Sequence, residues 1–447
     1  MPTIEAGRGA PAGGWTALID DIIDGRWTHP ETGRPAEVDY DKVVIAPSLA
    51  GREAELVAAM GLGDRIALVA DAATYEAMGR RIEMAMAKAA PQVIVLDHPH
   101  ADMAHVALLK AKLAGASGAV AVGSGTVNDL VKVAMAEAGK PYCVFGTAGS
   151  MNGYTSSTAS ITLDSGLKTT LASRAPKGFF ADLTVMAEAP AHTRAAGFGD
   201  CLARSVAQID WWMSHRLLGT DYHQVAYDIE LPDEAELNAR AAGIAAGEIE
   251  AMGYLVRVLT LCGLGIAFTK VSHHGSMGEH QISHYIDCFA GERHPGTLHG
   301  QQVGVASLTL ARLQQDILSR DTPPTVRPTR IDEADMARRM GPEIAAQCLA
   351  EYRKKALDEA GAAKLNARLR EIWPELRREC LAFALPVAEM ERLLKAAGGA
   401  TTAGELGLPV EFYREAIVHC REMRNRFSML DIADDAGTLR DFAAGER

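Results

Sequence analysis

Four side chains have the types and spacing to hold a metal ion. Asp200 closes the segment AAGFGD (195–200). His280 and His284 stand four apart in GEHQISHYIDCF (278–289), so a helix there would carry both on one face. His299 follows in HPGTLHGQQVG (294–304), 19 residues beyond His280. One carboxylate with two or three imidazoles is a normal donor set for zinc, iron or nickel, with a position left open for a substrate oxygen. A metal held this way acts as a Lewis acid on an alcohol or carbonyl. Spacing alone does not decide the matter. A histidine pair at i, i+4 is also common on helix surfaces and at capped ends, and Glu279 precedes the first histidine, so this is not HExxH. The density of histidines between 273 and 299 favours the metal, with some of them as bystanders.

A second candidate lies upstream, in GAVAVGSGTVNDLVKVA. An apolar run ends at Val122, Gly123-Ser124-Gly125-Thr126 follows, and helical spacing begins near Val127. Glycines allow a tight turn with open backbone N–H groups, and a helix N-terminus adds partial positive charge. The segment suits the pyrophosphate of a dinucleotide. It is neither GxGxxG nor a GK[ST] loop, and taken alone it is equally a plain β–α turn. Asp71, at the end of RIALVAD, is placed either to meet the adenosine ribose or to cap the next helix.

The elements that must position these residues fall into two halves. Short β-rich runs at 43–47, 65–71, 92–97, 118–123 and 141–146 alternate with helical stretches at 73–89, 102–114 and 127–139. Further β segments are expected at 158–164 and 179–186. The alternation implies a parallel sheet with right-handed crossovers. After about 190 the strand signals stop. Helical spacing covers 191–217, 233–251, 253–269, 277–289, 299–315, 332–357, 362–374, 386–397 and 409–425. The expected organisation is an N-terminal extension (1–40) with one short helix, a Rossmann-like α/β domain binding NAD(P) (41–188), and an all-helical domain for metal and substrate (189–447).

Bulk properties narrow the class. A chain of 447 residues can bury two cores. The net charge of −12 and the lack of a basic patch argue against nucleic acid as a partner. Seven scattered cysteines without a CxxC pair point to reduced thiols in the cytoplasm. The start MPTIEAGRGAPAGGW has no apolar signal core, and no uninterrupted run of 18 apolar residues is read, so no membrane association is expected.

Taken together, GSGTVNDLVK, TAGSMNGYTSSTASITLDSGLKTT, APKGFFADLTV, AAGFGDCLARSVAQIDWW, EHQISH and LHGQQVG resemble the iron-containing (group III) alcohol dehydrogenase superfamily. Within it they are most similar to the sn-glycerol-1-phosphate dehydrogenase branch. The likeness runs over roughly 40–310. It implies a dehydroquinate synthase-like fold, NAD or NADP, and one divalent metal, zinc first with iron or nickel also accepted. It implies Asp200, His280 and His299 as metal ligands and His284 as a nearby proton relay. Gly123, Ser124, Gly125 and Thr126 match the pyrophosphate loop. Asp71 would meet the ribose, and Thr147 and Ser150 would lie along the cofactor. Lys168 and Asn152 would orient substrate.

Two positions depart from the branch. It usually reads SMDGYTS, and Asn152 takes the place of that Asp, losing its charge. It usually carries Arg-Pro about seven residues before the first metal histidine, where this chain has His273 and His274. Both bear on the substrate. Dihydroxyacetone phosphate leads, with another polyol or sugar phosphate as the alternative. A dehydroquinate-synthase-like cyclase and a non-catalytic nucleotide- or metal-binding relative are the competing readings. A homo-oligomer, dimer or higher, is expected from an exposed sheet edge.

Overall fold

In the computed structural model, which describes residues 9–447, the apolar runs of the first half form β1 (Lys42–Ala46), β2 (Ile66–Asp71), β3 (Gln92–Leu96), β4 (Gly118–Gly123), β5 (Tyr142–Gly146), β6 (Thr158–Thr162), β7 (Lys168–Ala172) and β8 (Gly178–Asp182). Six of them make one parallel sheet in the order β1-β8-β5-β4-β2-β3. β4 and β5 are buried at every residue, as central strands covered on both faces must be. The chain leaves β2 toward β3 and leaves β4 toward β5, on the opposite side. The crevice beyond Asp71 and Gly123 is therefore the switch point where α/β sheets bind ligands.

The β segment expected at 158–164 is not part of this sheet. β6 pairs antiparallel with β7 as a separate hairpin, and β7 was not expected at all. The segment expected at 179–186 is a strand only to Asp182. There the carboxylate accepts from the N–H of Val185 and starts the helix Leu183–Glu188.

Helix α1 (Gly125–Glu137) follows β4 directly. The second half is helical and includes α2 (Ala191–Leu218), α3 (Ile249–Thr269), α4 (Gly278–Phe289) and α5 (His299–Ser319). The stretch expected as one helix over 233–251 is broken at Gly247, and that over 332–357 at Gly341, both with positive φ (71° and 76°). Although Arg257 interrupts its apolar run, α3 is long and apolar enough to cross a membrane by length and composition. It is instead a core helix, with 94% of its apolar window buried. Its one guanidinium, on Arg257, pairs with Asp233 at 2.8 Å.

Helices α2 and α5 cross at backbone contact. A Cβ on Gly300 would stand 2.0 Å from the carbonyl oxygen of Ala196, and one on Gly199 2.3 Å from that of Gly300. No other residue fits this crossing. Asp200 follows Gly199 and His299 precedes Gly300, so the same contact sets carboxylate beside imidazole. The N-terminal extension packs on the helical half. Trp15 meets Tyr254 edge-on at 5.1 Å, and Ile19 and Ile22 of the helix Ala17–Ile23 are fully buried.

Candidate active site

A cavity of about 580 Å³ lies between the carboxyl ends of the strands and α2, α4 and α5. Ser124, Gly125 and Thr126 line one side, and Asp200, His280 and His299 the other. Groups more than 70 residues apart in sequence thus face one another across one space.

The metal candidates converge. One donor atom each from Asp200, His280 and His299 lies within 4.8 Å of the other two. The imidazoles of His280 and His299 are 5.0 Å apart between centroids. Oδ1 of Asp200 is buried, accepts no hydrogen bond, and sits 3.4 Å from Nε2 of His280. A buried carboxylate oxygen without a donor is costly, and a cation placed among these three groups would satisfy it. The donor set therefore fits a divalent metal.

The surroundings fix how these candidate ligands present themselves. Nδ1 of His280 is 2.7 Å from Oε1 of Glu279, a fully buried carboxylate that also accepts from the N–H of Met277. The Nδ1 proton goes to that carboxylate, which turns the Nε2 lone pair toward Asp200. Burial opposes a charged His280, yet the carboxylates of Asp200 and Glu279 outweigh it and hold its pKa up at about 9. A metal would take the place of that proton. His299 is pushed down to about 3, first by burial and then by the charges of His280 and Lys168. Oδ2 of Asp200 accepts from the backbone N–H of Asn152 at 3.2 Å. The loop carrying Asn152 is pinned there because a Cβ on Gly197 would meet the Gly149 oxygen at 1.7 Å.

A second trio, Glu230, Cys262 and His274, also comes within 4.8 Å. It already has its cation. The guanidinium of Arg204 lies 2.9 Å from Glu230, and burial keeps Cys262 a thiol.

On the cofactor side, helix α1 begins at Gly125 with no side-chain cap, because Ser124 makes no capping bond. Its first-turn N–H groups are left for an anion, and the glycine backbone lines the cavity, so the loop fits a pyrophosphate. Gly123 and Thr147 lie one step behind the cavity surface, where the Thr147 N–H donates to the Gly123 oxygen at 3.1 Å. Ser150 reaches the cavity. Asp71 does not line it. Its carboxylate accepts from the N–H of Thr74 at 2.8 Å, while Thr74 Oγ1 accepts from the N–H of Asp71 at 3.1 Å, a reciprocal helix cap.

His284 lines the same cavity, 5.4 Å from His299 between centroids, and its buried Nδ1 has no partner. Burial, and then the charge of Arg424, keeps it neutral with a pKa well below the usual value. Lys168 reaches in from β7 and pairs with Asp287 at 2.6 Å. Asn152 lines the cavity, but its side-chain amide donates to Cys262 Sγ at 3.4 Å, so it is its backbone N–H that reaches the candidate ligand Asp200.

Several residues that shape the site were not singled out from sequence. Ser283 and Gln302 hold His299, and Glu279 holds His280. Lys132, fully buried, donates to the carbonyl oxygens of Gly153 (2.6 Å), Ser156 (2.9 Å) and Thr158 (2.9 Å) and so ties down the loop after β5. Arg424 enters the cavity from the C-terminal part of the chain. Lys132, Glu279, Ser283 and Gln302 fall inside the motif segments themselves. Arg424 carries no local signal.

The chain is similar to several known proteins. The family model for iron-containing alcohol dehydrogenases matches residues 44–190. The glycerol-1-phosphate dehydrogenase [NAD(P)+] of Bacillus subtilis is 31% identical over 325 residues, covering 72% of this chain and 70% of its own. That of Bacillus velezensis is 27% identical over 381 residues, covering 83% and 86%. Among solved structures, a probable glycerol dehydrogenase from Sinorhizobium meliloti superposes with a TM-score of 0.60 at 17% identity, covering 91% of this chain and 98% of that one. Glycerol dehydrogenase from Schizosaccharomyces pombe gives 0.59 at 16% identity, covering 92% of each. These structures share the fold, a parallel-sheet domain followed by a helical one.

Proposed function

Since this chain belongs to the glycerol-1-phosphate dehydrogenase branch of the iron-containing alcohol dehydrogenases, and is an NAD(P)-dependent oxidoreductase of a polyol phosphate, we propose that sn-glycerol 1-phosphate and dihydroxyacetone phosphate are its substrate pair and that Asp200, His280 and His299 hold its metal. One observation carries the site assignment. The unpaired Oδ1 of Asp200 faces His280 Nε2 across the same cavity that exposes the uncapped start of α1.

When bound, the divalent metal supplies Lewis acidity at the substrate oxygen and the nicotinamide exchanges the hydride. The chain's own residues do the rest. Ser124, Gly125 and Thr126 bind the pyrophosphate, with Gly123 and Thr147 shaping the turn beneath them and Ser150 alongside. Asp71 offers its second carboxylate oxygen to the adenosine ribose, which favours NAD because the charge repels a 2′-phosphate. Asn152 and Lys168 position the substrate. His284, neutral and with Nδ1 free, carries the proton between the substrate oxygen and water. Glu279 and Ser283 keep the two ligand imidazoles in the binding tautomer.

Zinc is the proposed metal, supported by a donor set of two imidazoles and one carboxylate. A cytoplasmic, reducing location is supported by seven free cysteines. An oligomer is supported by β3, an edge strand with Val95 exposed.

The test is NAD(P)H absorbance during turnover of dihydroxyacetone phosphate and of sn-glycerol 1-phosphate, with metal content measured on the same sample. Net oxidation of cofactor with the first and net reduction with the second is the expected result. Turnover with no net change in NAD(P)H would indicate the cyclase reading. Tight NAD binding without turnover would indicate a non-catalytic relative.

A further inference from the structure

Two basic side chains, those of Lys168 and Arg424, line the active-site cavity. Lys168 is engaged by Asp287 at 2.6 Å. Arg424 has no ion-pair partner among the described residues, and its one side-chain hydrogen bond goes to Thr170 Oγ1 at 3.4 Å. A guanidinium has five N–H donors, arranged to grip a phosphate through two oxygens at once. Burial, and then the neighbouring Arg426, pull Arg424 down to about 9. An anion arriving there would relieve both.

The segment bearing Arg424 is built to present it. The carbonyl oxygen of Arg426 accepts from Gln281 Nε2 at 3.1 Å and from Lys355 Nζ at 2.9 Å. Gln281 is the neighbour of His280 on α4, so the position of the segment is fixed relative to the metal candidates. Past it, the N–H of Ser428 donates to Asp431 at 2.9 Å and that of Met429 to Asp210 at 3.0 Å. Arg426 itself donates to the hydroxyls of Ser272 (2.8 Å) and Ser276 (2.9 Å). Both serines line the cavity, and each keeps its own proton to donate outward.

The turn before α4 supplies no charge. His273 stacks on Trp211 at 5.8 Å and is pushed to about 2 by burial and then by Arg426. His274 is fully buried, its Nε2 3.1 Å from the Cys262 carbonyl oxygen.

We propose that Arg424 is the anchor for the substrate's phosphate, helped by the hydroxyls of Thr170, Ser272 and Ser276, so that the C-terminal segment sets the preference for phosphorylated over free polyols. This rests on the polyol phosphate reading above.

The test uses the full-length, metal-loaded protein and the variants Arg424→Met and Arg424→Lys. Each is assayed with dihydroxyacetone phosphate and with dihydroxyacetone. Inorganic phosphate binding is measured by calorimetry on the same samples. The ratio of kcat/KM for the phosphorylated over the free ketone should fall at least ~30-fold in Arg424→Met, mostly through KM, and recover in part in Arg424→Lys. Phosphate affinity should fall in parallel. A purely structural role would lower both substrates together and leave the ratio unchanged, which would overturn the inference while wild-type turnover of the phosphate upheld the function. A wild-type protein that ignores the phosphorylated ketone and binds no phosphate would overturn both.

Discussion

Ser283 Oγ stands 2.9 Å from Nδ1 of His299 and donates its own proton to Oε1 of Gln302 at 2.8 Å. The hydroxyl must therefore accept from Nδ1–H, which leaves the lone pair of His299 on Nε2. Removing the hydroxyl frees the ring to turn and to change tautomer. Ser283→Ala should weaken zinc binding by about 10–100-fold with the fold intact. Competition against a chromogenic chelator measures this, and unchanged affinity would count against His299 as a ligand.

The crossing of α2 and α5 makes a prediction that links fold to site. Gly300→Ala would drive a methyl to 2.0 Å from the Ala196 oxygen. The helices must separate, at a cost of roughly 3 kcal/mol. Because His299 and Asp200 flank the contact, metal affinity should fall along with the melting temperature. Thermal unfolding with and without added zinc reads both. A stable variant with normal metal uptake would show that the crossing does not set the site.

Metal removal should separate folding from catalysis. The two large apolar clusters form without any metal-dependent contact, so the chelated protein should keep its circular dichroism. It should lose turnover and regain it on adding metal. At a metal concentration 100 times Kd the folded state gains about 2.7 kcal/mol, visible as a higher Tm. Full turnover after exhaustive chelation would contradict the Lewis-acid role.

Asp71 is used as a helix cap, and Asn caps as well as Asp. Asp71→Asn should therefore leave stability nearly unchanged while removing the charge that would face a 2′-phosphate. The NADP-to-NAD ratio of kcat/KM should rise about tenfold, which corresponds to about 1.4 kcal/mol. An unchanged ratio would leave Asp71 with its capping role alone.

The sequence made the alternation of strand and helix legible because central strands such as β4 are apolar along their whole length. It did not reveal β7, whose KTTLA is polar and half-exposed and owes its strand form to pairing with β6. The helix over 191–217 was legible, but not why glycines stand inside it: Gly197 makes room for the Gly149 loop and Gly199 for the crossing helix α5. Asp200, His280 and His299 were legible as a set through motif order, although spacing left them ambiguous. Arg424 was not legible, since an arginine over 200 residues beyond Asp200 gains meaning only when the fold brings it to the cavity.

The most direct measurement compares metal content and NAD(P)H-coupled turnover of dihydroxyacetone phosphate in the wild-type protein and in Asp200→Ala. Alanine is a good helix former at this position of α2, so the variant should remain folded. The account predicts about one divalent ion per wild-type chain, the expectation for one three-ligand site, and loss of metal and turnover together in the variant. Full turnover by a folded Asp200→Ala protein would contradict it.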